Sequence, residues 1–236
     1  MYGYGYGYYG FDWTYILLII GMLLSLAAST RLKSTFSYYR RIRSASGLTG
    51  AETAERILRA AGITDVHVRA ISGSLTDHYD PRTKTVSLSE DIYDKTSLAA
   101  VGVAAHECGH AIQHAIGYAP LEFRSAIVPV ANFGSTLSWP LFLIGLFSGI
   151  RPLVTAGIVL FSLAVLFQLV TLPVEINASS RALKMLQNTG ILGSDETKGA
   201  RKVLTAAAMT YVAALAASIL QLLRLLILAG GRRRDD

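Results

Sequence analysis

The sequence is poor in cysteine and in charge. A single cysteine, Cys108, in 236 residues excludes an internal disulfide framework. Charged residues make up 16% of the chain, against roughly 25% in an average soluble protein. That deficit excludes intrinsic disorder and argues against an ordinary soluble enzyme. No Lys or Arg precedes the first apolar run, so that run lacks the positive n-region of a cleavable signal peptide. What remains is a membrane protein, or a small domain carried on membrane anchors.

Hydrophobic residues, by contrast, reach 52%, and they fall in four charge-free runs. The first spans Trp13 to Thr30, the second lies between Arg124 and Arg151, the third runs from Pro152 to Val174 and the fourth from Val203 to Leu223. Each is long enough to cross ~30 Å of hydrocarbon, which takes about 17–25 helical residues. The fourth, with its TAAAMTYVAALAAS stretch, reads either as a span or as a helix packed on the others. The expected count is therefore four, or three. Small residues of this kind allow close helix approach within a bilayer. The opening MYGYGYGYYGFDW is a low-complexity Tyr/Gly tail. Its tyrosines suit the headgroup level, although a tail without function reads equally well.

The formal charge of +6 is explained by where the basic residues fall. Arg31, Lys33, Arg40, Arg41 and Arg43 follow the first run, and Arg181, Lys184, Lys198, Arg201 and Lys202 follow the third. The turn between the second and third runs has only Arg151. The positive-inside rule then puts 31–124 and 175–202 in the cytoplasm of a multi-pass plasma-membrane protein, with the tail and the Arg151 turn outside. Arg232, Arg233 and Arg234 conflict with four spans, because they would end outside. Either the last run does not span, or the other basic residues outvote them; the second reading is preferred. Basic residues gathered at membrane edges, rather than along one recognition surface, exclude a nucleic-acid partner.

The expected division is a tail and first helix over 1–30, a cytoplasmic domain over 31–124 and a membrane hairpin over 125–174. A cytoplasmic segment over 175–202 follows, then a hydrophobic helix and basic tail over 203–236. Within 31–124, GLTGAETAERILRAAGI reads as a helix opened at Thr49 or Gly50 and stopped at Gly62. VHVRAI, at 66–71, reads as a strand. LTDHYDPRTKTVSLS reads as a hairpin turning at Asp80-Pro81, its return strand 83–88 offering a possible edge for an extended peptide. A helix from about Ser97 to Ile116 completes a small α+β unit.

That last helix carries His106-Glu107-Cys108-Gly109-His110, an H-E-x-x-H sequence. Residues four apart share a helical face, so two imidazoles can bind one zinc ion while Glu107 acts as general base toward a water. Catalytic zinc needs a third protein ligand. A histidine ten residues after His106 is absent, since Ile116 occupies that position. His114 lies a turn too far along a straight helix, which leaves it a supporting role, a substrate-facing role or none. Glu175, at the cytoplasmic return of the membrane hairpin, is the favoured third ligand, and Glu122 is the alternative. Asn177 and Ser179 follow within a turn and can orient a ligand. Cys108 points off the His106/His110 face and reads as a packing residue.

LTDHYDP, VSLSEDIYDKTSLAAVGVAAHECGHAIQH and LPVEINASSRAL together resemble the YugP-like neutral zinc metallopeptidase family over about 45–225. The resemblance implies a membrane-bound peptidase with one zinc ion and a zincin-like, gluzincin-like site. The layout is similar to the HtpX-type membrane proteases, in which a later glutamate in an E-x-x-A-D context completes the site. Glu175 matches that glutamate, whereas Ser179 stands where those proteases have aspartate. The expected partners are the bilayer and a polypeptide substrate, membrane-associated or misfolded. His78, Tyr79 and Arg181 are candidates to stabilise the oxyanion or hold substrate. Two other readings stay open: an intramembrane zinc protease, and a non-catalytic scaffold with structural zinc.

Overall fold

A computed structural model describes residues 12–231. The Tyr/Gly stretch before Asp12 and Arg232, Arg233 and Arg234 lie outside the described residues. The elements are α1 (Tyr15–Tyr39), α2 (Gly50–Ala60), β1 (His67–Ile71), β2 (His78–Asp80), β3 (Thr85–Ser89), α3 (Leu98–Ala115), α4 (Ala119–Ser148), α5 (Arg151–Asn188) and α6 (Ser194–Gly231). Four of them, α1, α4, α5 and α6, are long and apolar enough to cross a membrane.

Three helices outrun the apolar runs that announce them. α1 continues past Thr30 to Tyr39, because RLKSTFSYY contains neither Gly nor Pro to stop it. α6 starts at Ser194, well before Val203. α5 continues past Val174 to Asn188. Glu175 is therefore not just beyond the end of the third apolar helix, as expected, but inside a single 38-residue helix. Similarly, α4 begins at Ala119 with a proline in its first turn, where the missing N–H costs nothing. Glu122 and Arg124 are thus helical.

α1 and α6 run antiparallel. Tyr39 packs on Gly199, Gly21 on Ala217, and Thr14 meets Arg224, whose Nε donates to the threonine hydroxyl at 3.2 Å. α4 and α5 form a tight hairpin: a Cβ on Gly157 would stand 2.8 Å from the carbonyl oxygen of Ser138 and the backbone nitrogen of Phe142.

Against the ends of α1, α5 and α6 sits the α+β part. α2 opens on a capping box, Thr49 with Glu52, which satisfies two otherwise orphaned N–H groups. It ends at Gly62, where φ is +72°. The sheet has the order β1-β3-β2, with β1 parallel and β2 antiparallel to β3. β3 is therefore not an edge open to a peptide: it is paired on both sides and all five of its residues are buried. The edge beside the site belongs instead to β2. Ile57 of α2, Leu88 of β3, Cys108 of α3, Leu186 of α5 and Val203 of α6 share one core. Segments before and after the hairpin are thus packed as one body.

Candidate metal centre

The H-E-x-x-H sequence lies on α3, which Ser97 caps by accepting from the N–H of Ala100 at 3.2 Å. α3 crosses α5 at Gly109. A Cβ there would lie 2.5 Å from the carbonyl oxygen of Ala178, so only glycine permits this approach. The contact brings one face of α3 against one turn of α5. His106 Nε2 lies 3.2 Å from Glu175 Oε2, and His110 Nε2 lies 3.6 Å from the same oxygen. The three ligand atoms are all within 4.8 Å of one another. Atoms bound tetrahedrally at the ~2.0–2.1 Å typical of zinc stand about 3.4 Å apart, which the two histidine–glutamate separations of 3.2 and 3.6 Å match.

The groups behind these ligands strengthen the fit. Gln113 Nε2 donates to the carbonyl of Val174 at 2.9 Å and to Asn177 Oδ1 at 3.0 Å, which fixes the orientation of its amide. Its Oε1, an acceptor, lies 3.0 Å from His110 Nδ1. That nitrogen must therefore carry the proton; the neutral ring then aims its Nε2 lone pair at the carboxylate, where a cation can sit between the two acceptors, whereas a protonated ring would donate to it. His106 Nδ1 lies 3.1 Å from Ser179 Oγ, so a hydroxyl orients this ring in place of a carboxylate. Replacing Gln113 by Leu is expected to lower zinc affinity about 10–100-fold, the usual cost of losing such a support. Competition with a chromogenic chelator measures it; unchanged affinity would remove Gln113 from the centre.

Glu107 is buried at 7% exposure and lines both cavities that His106 and Glu175 border. Burial raises its carboxyl above the ordinary range, against the pull of His106 and His110. Asp77 borders the same cavities and is also raised by burial, while its carboxylate accepts from the N–H and hydroxyl of Ser89.

The remaining candidates divide by position. His78 and Tyr79 line the cavity with His106, Glu107 and His110. The Tyr79 hydroxyl lies 2.8 Å from His114 Nδ1, and burial pushes its pKa up to about 12, so it stays protonated. His114 thus supports Tyr79 rather than the metal ligands. Arg181 donates to Asn177 Oδ1 at 2.7 Å and stacks over Tyr118, and it lines neither cavity beside the motif. Glu122 is exposed and outside the donor cluster. The Cys108 thiol turns to the carbonyl of Ala54, and burial raises its pKa. Four groups were not singled out from the sequence: Asp77, Gln113, Tyr211, and Arg124, whose guanidinium lies 3.5 Å from Glu175 Oε1. For Gln113 a signal existed, since it follows His110 by one helical turn.

A family model described as "Putative neutral zinc metallopeptidase" matches residues 14–230. The chain belongs to that family. It is also 49% identical over 220 residues to the "Putative membrane protease YugP" of Bacillus subtilis (strain 168), covering 92% of this chain and 98% of that protein. No solved structure matches the chain. The family's description suggests zinc, and the His-His-Glu cluster is a group that could hold a metal ion. The relative's description and the four apolar helices agree on a membrane.

Proposed function

We propose that the protein is a zinc-dependent endopeptidase that hydrolyses peptide bonds of polypeptides at the cytoplasmic face of the cell membrane. The observation that carries this reading is the meeting of Glu107 with the His106–His110–Glu175 donor set on one cavity. Zinc held by those three residues supplies a Lewis acid that polarises a peptide carbonyl and acidifies a water. Glu107 accepts the proton of the attacking water at its carboxylate and returns it to the leaving amine nitrogen. Tyr79, protonated and beside the site, donates toward the developing oxyanion, with His78 as the second candidate. Gln113 holds His110 in the tautomer that binds metal, and the Ser179 hydroxyl, which can accept from His106 Nδ1, orients the other imidazole. The outer side of β2 offers backbone groups to an extended substrate.

Helix lengths support a site at the membrane surface. The rise along α5 from Arg151 to Glu175 is about 36 Å, a little more than the ~30 Å hydrocarbon thickness. Arg124, at the corresponding depth on α4, pairs with Glu175. Basic residues dominate this side, which favours the cytoplasm. α3 packs against α2, the sheet and α5, which favours a surface site over an intramembrane one. Its substrates are accordingly membrane-associated or misfolded polypeptides.

The test is casein cleavage by the purified, detergent-solubilised protein. Cleavage is expected to stop with 1,10-phenanthroline and to return with added zinc. Zinc-loaded protein that cleaves neither casein nor a membrane-protein substrate would overturn the reading.

A further inference from the structure

A separate hollow, of about 520 Å³, lies between α1 and α6. On α1 it is lined by Arg31, Thr35 and their helical face, whereas Leu32 and Phe36 of the neighbouring face line the metal cavity. On α6, Arg201, Lys202 and Thr205 close it. We propose that this groove binds a phosphoryl anion, with the headgroup phosphate of an anionic phospholipid as the source its position favours.

Charge is the first argument. Three cations converge on one concavity from two helices, no acidic residue lines it, and none of the three has a carboxylate partner among the described residues. The neighbouring basic cluster is different: there Arg40 is paired with Asp91 at 2.9 Å. Donors are the second argument. Thr35 and Thr205 line the groove and their hydroxyls make none of the described side-chain hydrogen bonds, so both can serve a phosphate oxygen. Depth is the third. The charge-free run of α1 ends at Thr30 and that of α6 begins at Val203, so the groove opens where both helices leave the apolar layer. Phosphates of a bilayer lie at that level. At its apolar end stands Met209, 41% exposed, in a position to meet an acyl chain.

Binding of labelled phosphatidylglycerol to the full-length protein in neutral detergent tests the assignment. Each cation near an anionic headgroup is worth roughly fivefold in affinity. The triple variant R31Q/R201Q/K202Q should therefore bind about 100-fold more weakly. Thr205→Glu, which keeps all three cations but puts a carboxylate in the groove, should also lose binding. The charge-matched variant R41Q/R43Q/K95Q should stay within about twofold of the parent protein. An equal loss in that control would reduce the effect to general surface charge and overturn the proposal, as would undiminished binding by the first two variants. Protection of Lys202 from amine-reactive labelling identifies the source. Protection by phosphatidylglycerol, but not by millimolar inorganic phosphate, assigns the groove to lipid. Protection by inorganic phosphate alone keeps the phosphoryl site and assigns it to the free ion. Protection by neither overturns it. Peptide hydrolysis plays no part in these measurements.

Discussion

Glu107→Gln is expected to lower the rate of peptide hydrolysis by about 10²–10⁴ while leaving bound zinc at one ion per chain. The magnitude is that of losing a positioned general base. The amide preserves the volume and polarity of a side chain that is almost fully buried beside two imidazoles, so the fold and the metal ligands should be undisturbed. It cannot accept a proton from water. Zinc content and turnover, measured on the same preparation, separate the two properties. Full activity with zinc retained would sink the proposed role of Glu107, and loss of zinc together with activity would make it a structural support of the centre.

Glu175→Ala should have the larger effect on the metal. Removing a direct ligand is expected to cost more than the about 10–100-fold that supporting groups cost. It also strips Arg124 of its only carboxylate partner among the described residues. Glu122→Ala, at an exposed position one turn into α4, should leave zinc affinity unchanged. Isothermal titration of zinc into apo-protein compares the two. Retention of tight binding by Glu175→Ala, with loss in Glu122→Ala, would reverse the ligand assignment.

How much of this was legible beforehand varies with the physics involved. The His106/His110 pair follows from helical periodicity alone, because the ligands share one element. The four apolar runs follow from bilayer thickness. Helix ends did not follow, because hydropathy marks where a helix leaves apolar surroundings, not where its hydrogen bonding stops. α5 passes through Glu175 without a break for that reason. The central position of β3 was also hidden. Alternation and turn residues reveal a hairpin, but whether a third strand pairs on its far side depends on β1, which arrives parallel from the other edge. Arg124 meets its partner on α5 and gave no local signal of that pairing. Gly109 fills an x position of H-E-x-x-H, which places no demand on its type; its closeness to Ala178 across the helix crossing does.

The crossing at Gly109 has a consequence for the order in which the protein becomes competent. His106 and Glu175 are separated by 69 positions, and the whole of α4 and the apolar part of α5 are synthesised between them. On the proposed mechanism, a nascent chain that has released α3 from the ribosome holds the two imidazoles and Glu107 but not Glu175, which reaches them when α4 and α5 close. Assembly then acts as an interlock: the proposed metal centre, and with it the proposed hydrolysis, is complete only in a chain whose hairpin has formed.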